Sequence, residues 1–269
     1  MNLVVALPCE AKVLVSYYQL KKKCDVGVFA LYQHPIKPLR LIVSGVGKVR
    51  AAAAVSYLAA QYPGQQSCYL NIGVAGSKVL AKGDCVGAMK IIDHVTGIAQ
   101  YPFIARGSPT ALVPVTTKDR PDTDYPEAGV QEMEAAGFFQ VAAMYTDREC
   151  IASVKIVSDT PSHPLAALDK SAVATCIEGG LSEIDRWRLH LEATFTRVPE
   201  MTRAFTPEDP VFARFRCTWS EQQQLKELLR RWQLWLPHES FSTIVESAVT
   251  AKQLLKRLER HLAQASYLW

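Results

Sequence analysis

The chain is poor in the signals that announce metal, membrane or nucleic-acid work. Its seven cysteines show no CxxC spacing and are odd in number, which argues against a zinc site and against a disulfide framework. The six histidines show no HxxxH pairing, so metal ligation has no donor set either. A formal charge of +4 is small for 269 residues and gives no case for nucleic acid as a partner. The apolar start, Met1–Pro8, is too short for a membrane span and lacks the basic flank of a signal peptide. These absences lead to the expectation of a cytoplasmic protein without metal, cofactor or membrane partner.

What remains has the balance of a globular protein, with 49% apolar and 21% charged residues. Leu3–Leu7, Val26–Tyr32 and Leu39–Ser44 read as strands, and Arg50–Tyr62 as an Ala-rich helix stopped by Pro63-Gly64. Ser67–Ile72 is a short apolar run ending in Gly73-Val-Ala-Gly76, and Gly83–His94 and Leu112–Thr116 are further strand candidates. Gln131–Tyr145 reads as a helix, Ile151–Val157 as a strand delivering Ser158-Asp159, and Leu181–Phe195 as a closing helix. Strands alternating with helices predict a layered α/β domain over a largely parallel sheet, with ligands outside the strands' carboxyl ends. Ser44-Gly45, Gly73–Gly76 and Ser158-Asp159 all fall at such ends, which suggests one convergent pocket.

The last third changes character. Thr196–Thr206 reads as a linker, followed by two amphipathic helices, Gln222–Leu236 and Thr243–Leu262, joined near Pro237-His238. Apolar spacing alternating between four and three residues in the second predicts a helical hairpin, packed on the domain or serving an interface.

The most informative stretch is Gly129–Ala142, where Glu132 and Glu134 flank Met133 just before an apolar, Ala-rich segment. A helix start favours acids, but that explains one carboxylate and not the Glu-Met-Glu grouping. Four stretches occur in order with it: Ala6-Leu-Pro-Cys-Glu-Ala-Lys-Val13, Ser44-Gly-Val-Gly-Lys-Val49, Asn71-Ile-Gly-Val-Ala-Gly76, and Val154-Lys-Ile-Val-Ser-Asp159. Together they resemble the nucleoside phosphorylase/nucleosidase superfamily, and more closely its methylthioadenosine/S-adenosylhomocysteine nucleosidase branch. The resemblance runs to about residue 165, with the closing helix reaching 197. It implies a three-layer α/β/α domain with a mixed, largely parallel sheet over residues 1–198, with residues 199–269 as an added helical extension. Gly45-Val-Gly47 does not make a dinucleotide fingerprint, because Arg50 stands where the third Gly belongs.

The resemblance also implies a chemistry. Breaking an N-glycosidic bond builds positive charge on the sugar while the base leaves as an anion, so one acid must protonate the base and one carboxylate must handle water. Asp159 is then the acid, Glu10 holds the water, and Glu132 supports the water site. Glu134 accepts the ribose hydroxyls, Met133 lies on the sugar face, and Val74, Ala75 and Gly76 form the floor. Ser158 and Lys155 complete the substrate-binding set. Taken singly, Glu10 reads as a first-turn helix acid, Asp159 as an N-cap for the segment from Thr160, and Met133 as core filler.

The same resemblance favours hydrolysis over phosphorolysis. Asn71 stands where the hexameric phosphorylases carry an arginine, and a carboxylate at Glu10 would repel phosphate. Lys155 replaces the arginine usual four residues before the acid, Val74 a common serine, and the segment from Asp93 to Gln131 is short. Tyr101, Phe103 or Thr117–Tyr125 would have to cover the base. The expected partner is a small purine nucleoside or thionucleoside, bound by a homodimer with the hairpin as a possible interface; a phosphorylase and a non-catalytic nucleoside-binding scaffold are the alternatives.

Overall fold

A computed structural model describes residues 1–23, 28–63, 67–102, 108–201, 209–236 and 239–265. These divide into two compact units, Met1–Phe195 and Thr196–Trp269. In the first, ten strands form one mixed sheet: β1 (Asn2–Val5), β2 (Lys21–Lys22), β3 (Ala30–Gln33), β4 (Arg40–Val43), β5 (Tyr69–Gly76), β6 (Cys85–Asp93), β7 (Ala99–Gln100), β8 (Ala111–Thr117), β9 (Val130–Glu132) and β10 (Ile151–Asp159). Helices α1 (Pro8–Tyr17), α2 (Lys48–Gln61), α3 (Ala135–Ala142), α4 (Lys170–Gly179) and α5 (Leu181–Met201) accompany them.

The sheet runs from β2 through β3, β4 and β1 to β5, then through β9, β8 and β6 to β10. Because β10 also pairs with β5, those last five strands close a ring. The sheet is less parallel than the sequence pattern predicts: five of the ten described pairings are parallel and five antiparallel. The parallel pairings fall in two runs, β4-β1-β5-β10, where strands alternate with helices, and β6-β8-β9; the antiparallel ones include hairpin-like excursions such as β6–β7.

Two elements depart from their expected limits near the site. The segment 131–145 is not all helix: Gln131 and Glu132 belong to β9, and α3 starts at Ala135. Gln131 pairs with Gly76 and Glu132 with Thr117, so ladder hydrogen bonds take these residues before a helix can. β5 extends to Gly76 instead of stopping at Ile72, because β10 pairs with it along its whole length. Within β10 the register shifts between Val157 and Asp159, leaving Ser158 as an extra residue. Such a bulge bends the strand and re-aims the side chain that follows it.

The core joins the sheet to α2 and α3 through Val4, Ile42, Ala51, Ala54, Val55, Leu58, Phe138 and Phe139. α5 turns Ile184, Trp187 and Leu191 inward, and the indole N–H of Trp187 donates to Thr110 at 3.0 Å. It continues past Pro199 to Met201, so the linker expected from Thr196 begins as helix. Proline removes one intrahelical bond, and near a helix end that loss is small.

The second unit holds α6 (Pro210–Arg214), α7 (Trp219–Trp235), α8 (Ser242–Ser247) and α9 (Ala251–Ala265) around Leu225, Leu229, Trp232, Leu254, Leu258 and Leu262. The single helix expected over 243–262 is broken at Ala248, which is extended. Thr250 and Gln253 make the break: the Thr250 hydroxyl accepts the Gln253 N–H, and the Gln253 side chain accepts the Val249 N–H. Thr250 thus caps the new helix while Gln253 reaches back one residue beyond the cap, which starts a new helix rather than continuing the old one. The turn expected at Pro237-His238 lies outside the described residues.

Gly137 lets α3 approach the first turn of α2. A Cβ there would sit 2.1 Å from the carbonyl oxygen of Lys48. Gly137→Ala is therefore expected to lower stability by about 1–3 kcal/mol, the range for overpacking, as read from the urea midpoint. An unchanged midpoint would mean that α2 and α3 do not pack this closely.

Candidate active site

The site forms where the ring of strands closes. Asp159 pairs with Gly76, Gly76 with Gln131, and Glu132 with Thr117, so the ends of β10, β5, β9 and β8 lie side by side. They surround a cavity of about 440 Å³, a size typical of small-molecule sites. Glu10, Val74, Ala75, Gly76, Glu132, Met133, Glu134, Ser158 and Asp159 all line it, so acids from distant parts of the chain meet in one place.

Glu10 is buried and has two tasks. It is the third residue of α1, after Pro8 at the start, and its Oε2 accepts the N–H groups of Ala6 (3.0 Å) and Leu7 (2.8 Å). That satisfies donors at the helix start, as a first-turn acid does. Its Oε1 faces β5 and accepts the Val74 N–H at 3.3 Å. Burial raises the Glu10 pKa, opposed by these N–H groups and by Lys155.

Glu132 lines the cavity with both carboxylate oxygens already bonded. One oxygen accepts the Thr117 hydroxyl at 2.6 Å and the other the Glu134 N–H at 2.8 Å; both accept the Ala135 N–H. The ammonium of Lys155 lies 2.8 Å away, with both side chains 1% exposed. Thr117 in turn accepts the Ala136 N–H at 3.0 Å, so the open start of α3 is satisfied from outside the helix. Glu132 thus reaches the cavity wall with its carboxylate already engaged on every side. Lys155, expected to contact substrate, is not part of that wall; it lies behind Glu132.

Glu134 caps nothing on α3. Its Oε1 accepts the N–H of Gly47, which opens α2 at a φ of +106°. Its pKa is raised to about 7, first by burial and then by the Glu132 carboxylate, while Lys155 and the Gly47 N–H pull it down. Asp159 is buried at the end of β10, so the N-cap alternative does not apply. Its Oδ1 accepts the Ser158 hydroxyl at 2.5 Å and its Oδ2 the Tyr125 hydroxyl at 2.9 Å.

Several positions fall elsewhere. Asn71 is buried and spent on Val4 and Ser153, away from the cavity. Ser44 and Gly45 do not line it, though Val46 does. Of the residues named to cover the base, Phe103 lies outside the described residues, Tyr101 is exposed, and Tyr125 reaches Asp159. The wall also contains cations that the sequence reading missed: Lys118, Arg120 and Lys170. Lys118 pairs with Asp122 at 2.8 Å. Lys118 and Arg120 sit in an irregular segment where no periodicity marks them, and Lys170 opens α4. Thr117 was findable, because it ends a strand. Among the described residues no group of three or more His, Cys, Asp or Glu is placed to hold a metal ion.

Lys155→Met would strand the Glu132 carboxylate in the interior, at an expected cost of about 3–5 kcal/mol; calorimetry showing a near-unchanged unfolding temperature would remove that pair from the structure's supports. Glu134 gives a pH test. Its folded pKa, about 7, lies above the ordinary 4.5, so its contribution to stability is fully present below 4.5 and is lost as pH rises through 7. Glu134→Gln should therefore gain stability relative to the native protein across that interval, measured by denaturant unfolding. A pH-independent difference would contradict the raised value.

No protein-family model matches this sequence, and no curated protein sequence matches it. Solved structures do. The methylthioadenosine/S-adenosylhomocysteine nucleosidase of Colwellia psychrerythraea, in complex with adenine, aligns over 72% of this chain and 94% of its own, with 19% identity and a TM-score of 0.56. The Neisseria meningitidis nucleosidase in complex with methylthio-immucillin-A aligns over 68% and 95%, at 22% identity and 0.54. The futalosine hydrolase of Helicobacter pylori aligns over 69% and 97%, at 16% identity and 0.53. The chain therefore shares the fold of these nucleosidases over its first unit.

Proposed function

We propose that this protein hydrolyses the N-glycosidic bond of a purine nucleoside or thionucleoside, releasing free base and a ribose derivative. The observation that carries the reading is that Glu10, Glu134 and Asp159 line one cavity at the closure of the sheet. Asp159, protonated, delivers its proton to the purine as the bond from C1′ breaks and the bonding electrons leave with the base. Water adds to the sugar cation at C1′ and its proton passes to Glu10. Oε1 is the oxygen for that task, because Oε2 is held by two backbone N–H groups. Burial makes Glu10 a better base than a solvated carboxylate.

Among the described residues no group bonds Oε2 of Glu134, so it meets the ribose hydroxyls with that oxygen while Oε1 stays on Gly47. Met133 lies against the sugar and Val74, Ala75 and Gly76 form the floor. Glu132 does not take part in the chemistry: it fixes the start of α3, and with it Glu134. Residues 1–198 form the catalytic part in this reading and 199–269 the extension.

One observation favours phosphorolysis. Lys118, Arg120 and Lys170 in the wall supply positive charge that Asn71 does not. Against it, Lys118 is paired with Asp122, and the Glu10 carboxylate in the same wall would repel a phosphate. Base release from a panel of purine nucleosides, with and without phosphate, separates the two; hydrolysis gives free sugar and is indifferent to phosphate, whereas ribose 1-phosphate would establish the other. Asp159→Asn is expected to lower turnover by about two orders of magnitude or more, with ligand affinity much less affected. Native-like turnover in that variant would exclude Asp159 as the acid.

A further inference from the structure

We infer that Tyr125 is the positioning residue of the acid: it anchors Oδ2 of Asp159 and leaves Oδ1 as the oxygen that carries the transferable proton. The inference rests on the nucleosidase reading and adds to it. Tyr125 stands between β8 and β9, is 8% exposed, and donates to Oδ2 at 2.9 Å. Among the described residues Asp159 is the acceptor of the phenol proton.

Gly76 makes the contact feasible. A Cβ at that position would lie 2.4 Å from Cε1 of Tyr125 and 2.5 Å from Oδ2 of Asp159. Any side chain on this residue of β5 would separate ring from carboxylate. Burial, and then the carboxylate itself, raise the phenol to about 12, so it stays protonated and remains a donor. It orients the acid without supplying the proton.

The two oxygens of Asp159 differ in what holds them. Tyr125 has no second acceptor among the described residues. Ser158 has one: its hydroxyl lies 2.5 Å from Oδ1 and 3.3 Å from the carbonyl of Ala75. When Oδ1 is protonated, Ser158 turns its hydrogen to Ala75 and no longer competes. As the C1′–N bond breaks, the proton passes from Oδ1 to the purine, the bonding pair goes to the base, and Ser158 swings back to donate to the new carboxylate. The bulge at Ser158 places this hydroxyl beside the acid.

The test is steady-state base release across pH by the full chain, with Tyr125→Phe, and with a fluorinated tyrosine at 125 that keeps the ring but donates more strongly. Tyr125→Phe is expected to lower kcat by about tenfold with KM within about twofold, the pattern of a lost transition-state contribution. A donor to a carboxylate favours its charged form. The basic limb of the kcat profile, where the acid is lost, should therefore move up in pH in Tyr125→Phe and down with the fluorinated residue. If the Phe variant does not fold, the fluorinated protein alone gives the decisive shift. Unchanged kcat in Tyr125→Phe, or a limb that does not move with the fluorinated residue, overturns the role while leaving the nucleosidase intact. A native protein that releases no base from any purine nucleoside overturns the nucleosidase reading, and this role with it.

Discussion

One buried ammonium organises the acids of this site. Lys155 sits on β10 with its charge 2.8 Å from Glu132, and it lowers the cost of ionising Glu10 and Glu134 as well. Three carboxylates near one cation cannot all be neutralised by it. The remainder of the compensation comes from peptide N–H groups: Ala6 and Leu7 on Glu10, Gly47 on Glu134, and residues 134 and 135 on Glu132. Each group of donors lies at the start of a helix, where N–H groups lack intrahelical partners and the dipole is positive. α1, α2 and α3 thus stabilise negative charge at the site from three directions. The compensation is incomplete for Glu134, which explains why its proton is held up to about pH 7.

The sheet supplies the rest. Parallel pairing brings Gly76 beside Asp159, the bulge at Ser158 turns that carboxylate, and the antiparallel contact with β9 adds the Glu-Met-Glu segment. Small residues serve this closeness. Gly73 leaves room for Glu10 and Lys155, whose Oε1 and Nζ would lie 3.2 and 3.5 Å from a Cβ there, and Gly76 leaves room for Tyr125.

Much of this was legible in the sequence. β4, β6, β8, β10 and α2 follow from apolar runs bounded by Gly and Pro, and strand ends marked the position of Asp159 and Gly76. Glu10, Glu134 and Asp159 were named from motifs and do meet around one cavity. Roles were harder to read than positions. Glu132 and Lys155 look alike in sequence to residues that face a ligand, and their pairing in the interior is visible only in three dimensions. Tyr125, Lys118 and Arg120 lie in irregular chain, where no period ties a residue to a face, and contacts across 34 residues are invisible to local pattern. The split at Ala248 was written in Thr250 and Gln253, but the apolar alternation on either side outweighed it in the sequence reading.

The ring of strands closes at a single point. β9 reaches β5 through one residue pair, Gly76 with Gln131, whereas β5 and β10 share eight. The seam has the fewest paired residues of the circuit, and the two halves of the acidic constellation lie on opposite sides of it. The Ser77 hydroxyl, donating to the Gly129 carbonyl at 2.8 Å, is the second tie across it. The wall of the cavity thus depends at this point on one residue pair and one side-chain bond, while the broad β5–β10 ladder carries the strands behind it.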